Sequence, residues 1–123
     1  MTLSLRAFLC LAFASFIAGC AGQANLTAVH KPVVPTTEAE CLASGGDWTT
    51  LGIPYAGKPA ICDLKTKDAG RACTDSKYCQ GVCLAPEEAA HGSSAIGNCS
   101  AYVANFGNVG IITDGKVERL NVE

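Results

Sequence analysis

Eight cysteines in 123 residues are the side chains with the most chemistry to offer. A cysteine sulfur attacks as a thiolate, ligates a metal, pairs as a disulfide or carries a lipid, and spacing narrows the choice. Cys41, Cys62, Cys73, Cys79, Cys83 and Cys99 include no C-x-x-C pair, the arrangement that lowers a thiol pKa in redox proteins. Structural zinc usually takes two close pairs, whereas only Cys79 and Cys83 stand four apart, with His91 beyond them. No metal ligands are assigned. Nucleophilic catalysis has no better footing, since neither G-x-S-x-G nor H-E-x-x-H occurs. Asp63, Asp68 and Asp75 lie among Gly, Lys and Thr, the setting of turn aspartates that bond their own backbone. His30 and His91 fall in polar stretches and read as solvated. The expectation is a non-enzyme with no catalytic, metal or cofactor residues.

Charge excludes a further class. Nine Lys and Arg against eleven Asp and Glu give a net charge of -2, with no basic cluster to neutralise phosphates, so nucleic acid is not an expected partner. The mean hydropathy of +0.24 is set largely by one segment, Leu3 to Ala18, which is nearly free of charge.

That segment has the layout of a secretory signal: Arg6 near the amino terminus, an apolar run from Ala7 to Ile17, then small residues. It is shorter than the roughly 20 residues a membrane span needs. Its end, Ile17-Ala18-Gly19-Cys20, resembles the lipobox of bacterial lipoproteins. The resemblance covers residues 1–20 alone. It implies cleavage before Cys20, a diacylglycerol on the Cys20 sulfur, an acylated (typically palmitoylated) amine, and a lipid bilayer as partner. Two or three acyl chains anchor stably, at about 0.8 kcal/mol per buried CH2. In lipoproteins of double-membraned bacteria an Asp after the cysteine favours inner-membrane retention; here Ala21 follows, which implies the outer membrane. Ordinary signal cleavage after Ala21 or Gly22 is the alternative.

The chain then divides into a signal (1–19), a lipidated flexible tether (20–36) and a disulfide-stabilised domain (37–123). Small, polar and proline residues make the tether, whose sixteen residues after Cys20 would reach roughly 55 Å fully stretched. Within the domain, Thr37 and Glu40 form a capping-box pattern and Gly45 suits a left-handed end, which predicts a two-turn helix. Trp48–Leu51 and Ala60–Leu64 predict a loose hairpin around the turn-rich 52–59 stretch. Asp114-Gly115 between β-branched runs predicts a tight hairpin with a type I′ turn. Trp48, Ile61, Val82, Leu84, Phe106, Ile111, Val117 and Leu120 are the expected apolar core. The fold class is a small disulfide-rich α+β or β domain with about three disulfides, because a domain this small buries only about 60% of its unfolded surface.

Six cysteines outside the signal and lipobox allow 15 pairings, which spacing alone does not decide. The Cys-x5-Cys-x3-Cys run followed by a later Cys resembles crossed extracellular modules. That resemblance implies Cys73 with Cys83 and Cys79 with Cys99, leaving Cys41 for Cys62. The chain as a whole is similar to cysteine-rich bacterial lipoproteins of uncharacterised function. Its expected role is binding or accessory structure in the envelope, with an envelope protein as partner; the alternatives are a hydrolase inhibitor or a small subunit of an envelope enzyme complex. The loop with Pro54, Tyr55 and Pro59 is the candidate contact surface, on the condition that Tyr55 does not instead cover Trp48 and the helix.

Overall fold

A computed structural model describes residues 27–123. Helix α1 spans Glu38–Ala43. The Thr37 hydroxyl accepts the Glu40 N–H at 3.4 Å and donates to the Glu40 carboxylate at 2.8 Å, so the expected cap residues meet. At the far end Gly46 N–H donates to Cys41 O and Gly45 N–H to Leu42 O, with Gly45 left-handed at φ 77°, a Schellman turn. Six residues do not make a helix that stands alone in water. The fully buried Cys41 fastens it through a disulfide to Cys62, across a Cα–Cα distance of 5.5 Å. Cys62 lies on β2 (Ile61–Asp63), which pairs antiparallel with β1 (Asp47–Thr49) and sets Trp48 opposite Cys62.

The second region is a five-stranded antiparallel sheet. Its strands are β3 (Ala72–Cys73), β4 (Cys83–Leu84), β5 (Gly97–Cys99), β6 (Gly107–Thr113) and β7 (Lys116–Val122), in the order β3-β5-β4-β6-β7. Asp114 and Gly115 join β6 to β7 with φ of 49° and 73°, the two positive values that a type I′ turn requires. Disulfides Cys73–Cys83 and Cys79–Cys99 cross in sequence, so the pairing is the one that the resemblance to crossed modules implied. A 3-10 turn at Ser76–Tyr78, capped by Asp75, fills the space between them. Segment 64–66 runs beside 101–103 and joins the two regions, through Thr66 N–H to Ala101 O and Val103 N–H to Leu64 O, both 2.9 Å.

Short strands leave backbone groups for side chains to satisfy. Ser100, fully buried, accepts the Val82 N–H and donates to Tyr102 O, and Ser76 accepts the Cys83 N–H while donating to Ile112 O. The edge strand β7 is also covered where it starts. Gly92 N–H donates to Val117 O and Val117 N–H to Ser93 O, and Arg119 reaches the carbonyls of Pro86, Glu87 and Ala89. These contacts tie down the 86–94 loop and block a docking edge.

The apolar core differs from expectation. Among the described residues the buried apolar side chains are the six cysteines with Leu64, Ile112 and Val117. Of the eight expected positions only Val117 is buried; Ile61 and Leu120 are 43% and 41% exposed, and the others are half-buried. Strand geometry explains the error. Val117 and Leu120 stand three apart on β7 and so point to opposite faces, while the register places Ile112, not Ile111, across from Val117. Cystines occupy the volume that the missing aliphatic side chains would have filled.

The tether boundary also moves. Residues from Val29 onward lie on the domain rather than free of it: Val29 N–H donates to Lys77 O at 2.9 Å, and the Lys31 ammonium bonds three carbonyls of the 76–81 stretch. Proline stiffens this strap, and the two ties offset its cost in conformational entropy.

Candidate functional site

The 52–59 loop leaves β1 near Phe106 and the C-terminal Glu123 and returns into β2. Pro54, Tyr55 and Pro59 are all exposed, Tyr55 by 64%, so the tyrosine does not cover Trp48 or the helix. Lys58 closes the loop from within: its N–H donates to Tyr55 O at 3.2 Å, its ammonium donates to Ile53 O at 2.6 Å, and it lies 5.2 Å from the Tyr55 ring centroid. Beside the loop runs an apolar groove of about 420 Å³, lined by Val34, Pro35, Trp48, Ile61, Cys62 and Val103. The self-closed loop and the trough beside it together make a preshaped, largely apolar surface that carries one solvated aromatic. Nothing in the sequence pattern singled out Lys58, whose role depends on a turn closing back on itself.

Among the described residues the six cysteine sulfurs are all engaged in disulfides. Cys73, Cys79 and Cys99 bring their Sγ atoms within 4.8 Å of one another, a metal-like cluster by distance, but each is half of a disulfide and so lacks the thiolate that ligates. The cluster is two crossed bridges stacked in the core. His91, the other residue weighed as a ligand, is exposed on the 86–94 loop.

Of the three aspartates read as turn residues that bond their own backbone, Asp75 behaves so, accepting the Lys77 N–H at 2.9 Å. Asp68 begins a turn only through its main-chain carbonyl, which accepts the Arg71 N–H, while its side chain accepts the more distant Gln80 N–H at 2.9 Å and the Arg71 guanidinium at 3.1 Å. Asp63 does not: it sits in β2 directly opposite Asp47, and its buried Oδ1 has no hydrogen-bond partner. Burial first, then the Asp47 charge, raises the Asp63 pKa against the opposing pull of Lys65. Asp75 shifts the other way. Burial alone would raise it, but the Lys77 N–H and ammonium together with the Gly115 N–H outweigh that and hold it below the usual carboxyl value. The hydrogen bond and charge of Asp75 raise Lys77 in turn. The pair flanks an open cleft of about 730 Å³ with Tyr78, Ser94, Ile96 and Asp114. Both shifts lead away from neutral pH, so the pair holds charge there rather than passing protons.

Residues 17–20 and the lipidation position Cys20 lie outside the described residues; within them, no helix is long and apolar enough to cross a membrane. No known protein family, curated protein or solved structure matches the chain.

Proposed function

We propose that this chain is a lipid-anchored protein of the bacterial envelope, held at the outer membrane by acylated Cys20, whose stapled domain binds a protein partner and catalyses no reaction. The observation that carries the binding role is the distribution of exposed apolar side chains. Val33, Val34, Leu42, Ile53, Tyr55 and Ile61 all belong to the strap, helix and first hairpin, whereas the larger sheet region exposes only Ile96 and Leu120 among its large apolar residues. Large exposed apolar side chains concentrated in one region of a small domain, with Val34 and Ile61 lining one groove, are characteristic of a contact surface. Three disulfides suit an exported protein, since an oxidising compartment forms and keeps them. The lipobox resemblance supports the anchor. Growth with labelled palmitate tests it: label should enter the wild-type chain and be lost, with membrane fractionation, from Cys20→Ala. A variant that remains labelled and membrane-bound overturns the anchor reading.

A further inference from the structure

Three backbone carbonyls of the 76–81 stretch converge on one point. Ser76 O lies 2.8 Å and Cys79 O 2.7 Å from the Lys31 Nζ, and Gly81 O accepts from it as well. Three acceptors match the three N–H donors of an ammonium, which has no acceptor of its own. The stretch is fixed covalently and by capping, because Cys79 is bonded to Cys99, Cys83 to Cys73, and Asp75 caps the turn. Its carbonyls thus lie on a segment braced by bonds that do not involve the strap, which reaches them from 45 or more residues away.

Electrostatics act in both directions on the occupant, with desolvation the larger. Desolvation by burial lowers the Lys31 pKa, and the charges of Asp68 and Asp75 act against it. Asp68 Oδ1 is buried without a hydrogen-bond partner, although Oδ2 has two. A carboxylate oxygen left bare in this way favours a cation close by.

We propose that this cradle is a binding site for a primary ammonium group, which Lys31 fills in cis, latching residues 29–36 across the domain. With the strap lifted, the three carbonyls face a ligand of the same class: a lysine side chain presented by a partner, or a free alkylamine. The latch does not depend on acylation of Cys20, so it and the anchor reading fail separately.

Chemical rescue tests the site in the full-length protein. Lys31→Ala should melt several degrees below wild type, and propylammonium chloride should restore at least half of that loss. Tetramethylammonium chloride at equal ionic strength, with the same charge but no N–H, should restore none, and wild type should respond to neither. Recovery absent, or equal with both salts, overturns the proposal, as does a wild-type response matching that of the variant. If the alanine variant does not fold, Lys31→Met keeps the alkyl stem. Its Val29 amide should then exchange at least tenfold faster than wild type and slow again with ammonium chloride, which fits beyond the retained stem, but not with tetramethylammonium chloride; exchange that is unchanged, or that ammonium does not slow, overturns the proposal.

Discussion

The two halves of this domain solve one problem, too few core residues, by different means. The helix and first hairpin rest on one disulfide and Leu64, and leave Leu42, Ile53, Tyr55 and Ile61 in water. The five-stranded sheet rests on two crossed disulfides around the Ile112–Val117 pair and exposes far fewer large apolar side chains. A bridge restricts the unfolded chain without needing the folded chain to bury more surface. With one bridge and one buried aliphatic, the first region holds its helix and hairpin together while its larger apolar side chains stay outside. The sheet region is thus the frame, and the first region is where exposed apolar side chains gather.

Deleting bridges gives the largest expected effects and the most direct way to break this comparison. Cys41–Cys62 and Cys79–Cys99 span 21 and 20 residues, so loop closure assigns them nearly equal contributions, about 3 kcal/mol each. Any difference between the two double alanine variants therefore measures what each half has besides its bridge. Cys79→Ala with Cys99→Ala should lower the stability of the whole domain. Cys41→Ala with Cys62→Ala should free the helix and first hairpin while β6 and β7 amides stay protected from exchange. Equal loss of protection everywhere in both variants would mean a single cooperative unit.

Next in size is the pair at the centre of the frame. Ile112→Ala, at a position with no solvent exposure, should cost about 2 to 5 kcal/mol, and Ile111→Ala well under half of that, by urea denaturation. These adjacent isoleucines also mark the limit of what the sequence discloses. Local signals were legible: the Thr37 cap, the left-handed Gly45, the Asp114-Gly115 turn and an even set of cysteines each follow from two to four neighbouring residues. Which isoleucine faces inward depends on the partner strand's register. Strands of two residues such as β3 and β4 carry no period at all, so the sheet order had no sequence signature. At the candidate surfaces the same division holds: Tyr55 stands out by residue type between two prolines, whereas the Lys31 cradle is built of backbone carbonyls, which every residue possesses.

Smaller effects separate the halves by the sign of their pH response. Asp75 is held below its ordinary pKa, so its contribution is present above the unfolded value of about 3.9 and is lost as pH falls through the folded value. Asp75→Asn should cost about 1 to 2 kcal/mol at pH 7 and flatten the acid limb of the stability curve. Asp63 is raised, so the folded state there binds its proton more tightly than the unfolded state. Its contribution declines as pH rises from the unfolded value through the folded one, and Asp63→Asn should leave stability at pH 7 unchanged or slightly higher. Thermal melts from pH 3 to 7 distinguish the two; the same direction for both substitutions at pH 7 would remove the contrast.

The smallest effect on stability, and the most informative about binding, is expected at Tyr55. Its ring is mostly in water, and the Lys58 ammonium lies 5.2 Å from the ring centroid. An exposed cation–π contact is worth about 0.5 to 1 kcal/mol. The bonds that close the loop use backbone oxygens of Ile53 and Tyr55, which alanine retains. Tyr55→Ala should therefore cost no more than about 1 kcal/mol of stability. If the loop is the contact face, truncating an aromatic anchor costs about 2 kcal/mol or more of binding, roughly a thirtyfold weaker complex. Co-purification of wild type and variant from crosslinked, detergent-solubilised envelopes reads that loss directly. Lys58→Ala sharpens the result, since it unlocks the loop while leaving the ring in place. Weakened capture by both variants with melting temperatures close to wild type assigns the contact to a preshaped loop. Full capture by Tyr55→Ala removes the loop from the contact surface, and a stability loss well beyond 1 kcal/mol makes the tyrosine a support of the first hairpin.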